Sequence, residues 1–279
     1  DKLFDYAREA GSHIEFEVKV SYVEIYNENI RDLLSVNTEK TATTTSSLQI
    51  RGSKVVGANE IFVTSAVEME RILEIGANTR TSSATMMNEA SSRSHSLFTV
   101  GVVQRNSENG ETTVGTLVLV DSAGSEMVKK TAAAGKRLEE AKSINKSLSA
   151  LGNVINALTK STQGGKVPSN SHVPYRDSKL TRLLQNCLGG NSRTSLMLAC
   201  SPSSWNEIET LSTLRFGSRA KQIENREIRQ VEKSPNEMKK YIAQLEKLLE
   251  ELVKERETKL VSGGSGGGSG GGSGGGSGG

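Results

Sequence analysis

The sequence predicts an α/β domain in which strands and helices alternate along the chain. Apolar and polar residues alternate with period two over residues 14–22, which is typical of a strand with one covered face. The dipeptide Asn109-Gly110 is a hairpin signal between two further strand-like stretches. A long stretch at 137–160 carries apolar residues at three- and four-residue steps, as an amphipathic helix does. Layers of such strands and helices form α/β domains.

The residues that follow the first strand predict a turn and then a helix start. Residues 25–34 contain a polar turn followed by apolar residues, and we interpret them as a turn into a short helical stub. Residues 36–47 are rich in Thr and Ser and predict a loop. A helix is predicted to begin at Ser65, because Glu68 completes a capping box three residues later.

The second half of the domain continues the alternation of strands and helices. Apolar periodicity and turn residues set the boundaries. The predicted elements are, in chain order, strands over 97–105 and 112–121, helices over 137–160 and 177–188, a buried strand over 194–200 and a helix over 206–221.

The C-terminal part has a different pattern. Residues 222–233 lack a firm period and predict an extended segment. A helix restarts at Ser234, with Pro235 at its first position. Its apolar residues, at the spacing of a coiled coil, are Met238, Tyr241, Leu245, Leu248 and Leu252. The charged Glu255 ends this apolar stripe. Two interpretations therefore remain: a short coiled coil, or a single helix that packs its stripe on the domain.

Composition narrows the class of protein. Residues 262–279 are only Gly and Ser, so they predict a flexible artificial linker that plays no part in the fold. The net charge of +3 is too small to name a partner. No apolar run approaches the roughly 18 residues of a membrane span, and no signal peptide is recognisable, so we expect no membrane insertion. Cys187 and Cys200 lack the spacing of a metal or redox motif.

A polar segment over residues 121–126 has the chemistry of a nucleotide site. Asp121 ends a predicted buried strand, where α/β folds bind ligands, and its carboxylate suits Mg²⁺. Gly124 lets its backbone N–H approach an anion without a side chain in the way. Glu126 then places a charge close to the ligand.

A second polar segment lies upstream of it. Asn88 offers an amide, and Ser91 and Ser92 offer hydroxyls for Mg²⁺ or phosphate oxygens. Arg93 is placed to pair with Glu126 and so to close both segments over a γ-phosphate. Either segment alone is a weak signal, because such short patterns occur by chance. Both together, in this order and on these elements, indicate a phosphate sensor.

A phosphate cradle of the form G-x-x-x-x-G-K-[ST] does not occur between Asp1 and Gly279. A nucleotide hydrolase with the two polar segments needs such a cradle. Because the chain begins with Asp rather than Met, we expect that the front of the natural domain, including this loop, is missing.

Together these segments resemble the kinesin motor domain, and its conventional heavy-chain type most. Residues 88–95 resemble the switch I segment of that family, and residues 121–126 resemble its switch II segment. Further matching runs lie at 21–28, 140–148 and 173–182, so that the resemblance covers about residues 1–255. It implies a three-layer α-β-α fold of the P-loop NTPase type, with a central, mostly parallel mixed sheet that is truncated at the N-terminus.

The resemblance also implies ATP and Mg²⁺ as cofactors. The implied nucleotide contacts are Asn88, Ser91, Ser92, Asp121 and Gly124, with Ser92 and Asp121 at the metal. The implied catalytic residues are Ser91, Ser92, Arg93, Gly124 and Glu126. In the family, the Arg93–Glu126 ion pair helps to position the attacking water. We interpret His95 as a structural residue rather than a proton shuttle. The chain departs from the family pattern at Ser122, where the family has Leu, and at Ala132, where it has Gly.

Positive charge is concentrated at residues 129–146 and 176–193. Such runs also occur on ordinary helix surfaces, but these two resemble the microtubule-binding elements of the family, and tubulin is acidic. The implied filament contacts are Lys130, Lys142, Lys146, Arg176, Lys179 and Arg182. Nucleic acid is the competing polyanion, but the runs lack interleaved aromatic residues and a reading helix, so we expect no nucleic-acid partner.

The implied function is an ATP-driven, plus-end-directed microtubule motor of the cytoplasm and cytoskeleton. The alternative is a microtubule-binding module without hydrolysis, and we expect this chain alone to lack ATPase activity. Homodimerisation would use the neck coiled coil of the longer parent. The tail would lead to a fused partner or to a transplanted front portion. The predicted divisions are a partial motor domain at 1–221, a neck linker at 222–233, the start of the neck coiled coil at 234–261 and the artificial linker at 262–279.

Overall fold

The computed structural model describes residues 2–35, 48–87, 93–124, 136–162, 172–232 and 235–262. Its main sheet has the strand order β2-β1-β6-β7-β8, with β5 also paired to β1, and β3 and β4 form a separate hairpin. The strands are β1 (Ile14–Tyr26), β2 (Asn29–Asp32), β3 (Gln49–Arg51), β4 (Lys54–Val56), β5 (Ile61–Phe62), β6 (His95–Asn106), β7 (Thr112–Asp121) and β8 (Val231–Glu232).

Six α-helices are present in the described part of the chain. They are α1 (Lys2–Glu9), α2 (Ala66–Met87), α3 (Lys136–Thr162), α4 (Lys179–Leu183), α5 (Glu207–Ala220) and α6 (Pro235–Ser262). Short 3₁₀ turns lie at Tyr175–Asp177, Leu184–Asn186 and Ser204–Asn206. None of the helices in these ranges combines the length and the apolar content needed to cross a membrane.

Helices cover both faces of the sheet. On one face, Val20, Tyr22 and Phe98 pack with residues of α1 and α2. On the other face, Val23 and Ile25 pack with α4 and the β3–β4 hairpin. The period-two geometry of β1 sends these neighbouring residues to opposite faces. The predicted α/β class, with helices on both sides of a sheet, is therefore confirmed.

The strand directions differ from the prediction of a mostly parallel sheet. Every strand pair among the described residues is antiparallel. For the pairs β1–β2 and β6–β7 the reason lies in the connections, because short turns can join only antiparallel neighbours. The prediction of a mostly parallel sheet is wrong for the part of the molecule that the structure describes.

The helical stub predicted at 25–34 is also wrong. Asn27 and Glu28 both have positive φ, 48° and 57°, and they form a two-residue turn. Positive φ at both central positions gives a hairpin turn whose twist matches that of the flanking strands. The chain therefore reverses into strand β2 instead of continuing into a helix.

The buried strand predicted at 194–200 does not form. Residues 193–200 are exposed and irregular, and Met197 is 94% exposed. An apolar run forms a buried strand only if other strands complete its hydrogen bonds, and none of the described strands pairs with this run. Part of the run still packs, because Leu198 lies directly over Gly217 of α5.

Other helix predictions are closer to the structure. The Ser65 hydroxyl accepts the Glu68 N–H at 3.2 Å, and the Glu68 carboxylate accepts the Thr64 N–H at 2.7 Å, so that α2 begins at its predicted cap. Helices α3 and α5 lie within a few residues of the predicted ranges. The helix predicted over 177–188 is divided into α4 and its two flanking 3₁₀ turns.

The C-terminal segment is extended until β8 and then helical. Its apolar stripe on α6 is exposed, with Met238 at 45% and Leu248 at 52%. The alternative in which this stripe packs on the domain is therefore not realised among the described residues.

Candidate functional site

The described residues of the two switch segments meet at one end of the β6–β7 pair. Asp121 is the last residue of β7 and lies opposite Ser96 of β6. Arg93 lies two residues before β6, and Gly124 follows β7 in the next loop. The structure therefore brings Arg93, Asp121 and Gly124 to the same edge. The predicted site residues Asn88, Ser91, Ser92 and Glu126 lie outside the described residues, so the Arg93–Glu126 pair stays a prediction.

Arg80 of α2 holds the acid of the switch II segment. Its side chain is only 10% exposed, and its Nη1 lies 2.7 Å from Asp121 Oδ2. The same nitrogen donates to the Ser96 hydroxyl at 3.1 Å, and Nη2 donates to the Ser94 carbonyl at 3.0 Å. A buried guanidinium is tolerated when its donors are paired in this way. Arg80 thus connects the start of β6 and the residue before it to the end of β7.

A buried carboxylate stands behind Arg80. The Glu24 side chain on β1 is 2% exposed, and its Oε1 lies 3.7 Å from Arg80 Nε. Its other oxygen bonds to the half-exposed Arg31. Positive and negative groups therefore alternate from Arg31 through Glu24 and Arg80 to Asp121. Both ends of this row reach solvent, and the Asp121 side chain is the more exposed of the two, at 71%.

His95 connects three elements at the same edge. Its Nδ1 accepts the Ala123 N–H of the switch II segment at 3.0 Å. Its Nε2 lies 2.7 Å from the hydroxyl of Ser147 on α3. Burial, and then the charge of Arg80, lower the pKa of His95 from 6.5 to about 4, against the opposing effect of Asp121. The ring is therefore neutral at physiological pH.

The donor set is compatible with a nucleotide-bound Mg²⁺. Mg²⁺ uses one or two protein carboxylates together with phosphates and waters, and the exposed Asp121 carboxylate is such a ligand, with one oxygen held by Arg80. No cluster of three or more acidic, His or Cys side chains occurs within the described ranges. Asp121 would therefore act with groups from the nucleotide.

The sequence analysis missed Arg80, Glu24 and Ser147. A signal for Arg80 was available, because Ile72, Gly76 and Arg80 follow one another at four-residue steps on α2. Ile72 is buried, and a Cβ on Gly76 would lie 2.2 Å from the Tyr22 ring, so this stripe faces the sheet. An arginine that continues a buried stripe needs a buried partner. The buried partner, Glu24, and the exposed one, Asp121, both lie far from Arg80 in the chain and could not be identified from the pattern.

The predicted filament residues are described in part. Lys146 and Arg176 are exposed, whereas Lys179 and Arg182 are half-buried. The Lys179 N–H donates to the Glu28 carboxylate at 2.8 Å, and Arg182 Nη2 donates to the Ile50 carbonyl at 2.8 Å. Lys130 and the side chain of Lys142 lie outside the described residues. Helix α3 carries Lys142 and Lys146, helix α4 carries Lys179 and Arg182, and Arg176 lies in the 3₁₀ turn before α4. The two helices are in contact.

The segment that precedes α6 lies along the domain. Asn225 donates to the Ser192 carbonyl at 2.7 Å, and the Ile228 N–H donates to Asn191 Oδ1 at 2.6 Å. The Val114 N–H of β7 donates to the Gln230 carbonyl at 3.1 Å. The C-terminal extension is therefore hydrogen-bonded to the core as far as β8.

Known proteins give an independent comparison. A sequence model of the kinesin motor domain matches residues 1–223. The kinesin heavy chain of Neurospora crassa is 52% identical over 250 residues, which are 87% of this chain and 25% of that protein. Kinesin-like protein 3 of Schizosaccharomyces pombe is 52% identical over 241 residues, which are 86% of this chain and 42% of that protein. The chain thus spans less than half the length of these relatives.

The fold comparison agrees with the sequence comparison. A solved structure of a fast kinesin, described with implications for its ATPase mechanism and its interactions with microtubules, is similar at a TM-score of 0.71 and 51% identity. The match covers 84% of this chain and 64% of that one. Since the family model and relatives about half identical both cover most of the sequence, this chain belongs to the kinesin motor domain family.

Proposed function

We propose that this chain is the part of an ATP-driven, plus-end-directed microtubule motor that senses the γ-phosphate, binds the filament and carries the neck linker. The observation that carries the proposal is the convergence of Asp121, Gly124 and Arg93 at one edge of the sheet, with His95 connecting that edge to α3. Membership of the kinesin family supplies the chemical context.

At the nucleotide, each residue has a distinct task. When bound, Mg²⁺ neutralises charge on the phosphates. Asp121 and Ser92 hold its ligand sphere, directly or through water, and Asn88 and Ser91 bind phosphate oxygens. The Gly124 N–H binds the γ-phosphate. Arg93 and Glu126 close the site and orient the attacking water.

At the filament, the basic residues of α3, of α4 and of the segments that precede them face acidic tubulin. Lys146 and Arg176 are exposed and therefore accessible to a partner surface. Lys130, Lys142, Lys179 and Arg182 complete the surface, with Arg182 also bonded to Ile50. Because such contacts are electrostatic, microtubule affinity falls as the salt concentration rises.

The C-terminal extension converts the nucleotide state into movement. The bonds of Asn225 and Ile228 to the core support a docked state of the neck linker (222–233). The exposed stripe of α6 supports a dimer in a longer parent, through the neck coiled coil that begins at 234. The motor works in the cytoplasm on microtubules.

A second candidate is a microtubule-binding module without hydrolysis. The observation that favours it is the lack of a G-x-x-x-x-G-K-[ST] stretch anywhere in the 279 residues. Because nothing in this sequence cradles the α- and β-phosphates, we propose that the chain alone binds microtubules and does not turn over ATP.

The test measures microtubule co-sedimentation and steady-state ATPase on the same samples of the chain. We expect salt-sensitive co-sedimentation and no turnover near the roughly 10 s⁻¹ typical of enzymes. Turnover at that rate would contradict the second part of the proposal, and absence of co-sedimentation would contradict the first. A kinesin of the same family that contains the phosphate loop serves as the positive control, and polarity-marked microtubules report its direction.

A further inference from the structure

One imidazole joins the phosphate-sensing loop to the filament side of the molecule. His95 is 3% exposed at the start of β6. One ring nitrogen bonds to the backbone of Ala123, next to Gly124, and the other bonds to Ser147, next to the exposed Lys146. The two partners lie on different elements, the loop after β7 and helix α3.

The partners also determine the tautomer of the ring. A backbone N–H can only donate, so Nδ1 must be the unprotonated, accepting nitrogen. In a neutral ring the proton then lies on Nε2, which donates it to the Ser147 hydroxyl. Both ring nitrogens are therefore committed, each to a different element.

The ring is suited to transmit a displacement. An imidazole is rigid, so the separation of its two nitrogens is fixed. If the Ala123 backbone moves, the ring must follow it and pull on Ser147, or one of the two bonds must break. A flexible side chain between the same partners would absorb the movement through its torsions.

We infer that His95 is a positioning residue that couples the backbone of the switch II segment at Ala123 to helix α3 through Ser147. The inference rests on the proposed function, because it takes α3 to be a filament-binding helix. It assigns to Ser147 and His95 the task of relaying filament contact to the loop that senses the γ-phosphate.

The first test is nuclear magnetic resonance of the ¹⁵N-labelled chain at neutral pH. The chain has three histidines, so the rings can be assigned with single substitutions. We expect His95 as the Nε2–H tautomer, with a coupling through the hydrogen bond between the Ala123 amide nitrogen and Nδ1. The exposed His172 serves as the reference. A proton on Nδ1 of His95, or absence of that coupling, would overturn the inference.

The second test follows exchange of the Ala123 amide hydrogen with and without microtubules. We expect microtubule binding to change its exchange rate about tenfold, as for loss or gain of one hydrogen bond. The change should vanish in Ser147→Ala. It should also vanish in His95→Asn, whose side-chain oxygen can replace Nδ1 but cannot reach Ser147.

Thr159→Val is the matched control, because it removes another buried hydroxyl of α3 that bonds within its own helix, to the Ile155 carbonyl at 2.9 Å. This variant should keep the response to microtubules. If the unsubstituted chain binds microtubules without a change in the exchange rate of the Ala123 amide, or if Ser147→Ala keeps that change, the inference alone is overturned. If the unsubstituted chain does not bind microtubules, the proposed function fails and the inference fails with it.

Discussion

Strands β1 and β7 carry similar apolar side chains in different surroundings. On β1, Val20 and Ile25 are at most 2% exposed, whereas on β7 Leu117 and Leu119 are 56% and 51% exposed. Strand β1 has neighbours on both edges and helices on both faces. Strand β7 pairs along its length with β6, but among the described residues its other edge pairs with a strand only at Thr112 and Thr113.

The difference teaches what an apolar strand sequence reports. The run Leu117 to Val120 is apolar on both faces, as in an interior strand. The composition of a strand therefore indicates which of its side chains can be buried. Whether they are buried depends on the neighbouring strands and helices. The same holds for residues 194–200, which were predicted to be buried and are exposed.

The largest expected effect on stability lies at Arg80, which pairs with the buried Glu24 of β1. We expect Arg80→Met to lower the free energy of unfolding by about 4 kcal/mol, because it removes one charge from a buried, paired network. Denaturant unfolding measures it. Arg80→Lys keeps the charge but loses the forked donors of the guanidinium. Its free energy of unfolding should lie between those of Arg80→Met and the unsubstituted chain. Arg105→Ala, which breaks an exposed pair with Glu17, should cause no resolvable change. Equal effects of Arg80→Met and Arg105→Ala would remove the contrast.

Acid should lower the free energy of unfolding through His95, which is buried at the start of β6. Its pKa is about 4 in the folded chain, below the ordinary 6.5, so the unfolded chain binds the proton first as pH falls. The stability that this group contributes is complete above about pH 6.5 and is lost between there and about pH 4. The loss is about 3 kcal/mol. Unfolding free energies measured across this interval should fall less steeply in His95→Gln, which has no titrating ring. Parallel curves for the two proteins would contradict this assignment.

A smaller effect separates two glycines. We expect Gly76→Ala to cost about 2 kcal/mol, because its Cβ would lie 2.2 Å from the Tyr22 ring between α2 and β1. Gly115→Ala on β7 meets nothing within 4 Å, and we expect it to stabilise the chain by about 0.5 kcal/mol. Thermal or denaturant unfolding measures both. A loss of stability in both variants would indicate that β7 is as tightly packed as β1.

Local patterns predicted much of the fold. The β6–β7 hairpin, the cap of α2 and the extents of α3 and α5 depend on residues close together in the sequence. Strand direction depends on connections. A helical stub was wrongly predicted at 25–34, because a positive φ at Glu28 is rare and no sequence pattern indicates the hairpin turn that it forms.

The sequence alone suggested residues for the candidate site, but it did not indicate which residues hold them in position. Asp121 and Gly124 were proposed from the sequence because a polar group after an apolar strand is a local signal, and their role at a nucleotide stays a prediction. Arg80 and Ser147 were not found, since their partners lie far away in the chain. Long-range polar contacts arise from packing, and the sequence shows only that a charged residue continues an apolar stripe.

The Arg80–Asp121 contact has a consequence for ligand binding. With Oδ2 at 2.7 Å from a buried guanidinium, the Asp121 carboxylate is restrained by an ion pair although its side chain is 71% exposed. The entropy of ordering that side chain is lost when the chain folds, and not when a nucleotide binds. Under the proposed function, a cation would meet a carboxylate that is already oriented, and removal of Arg80 would weaken cation binding even if Asp121 stayed in place.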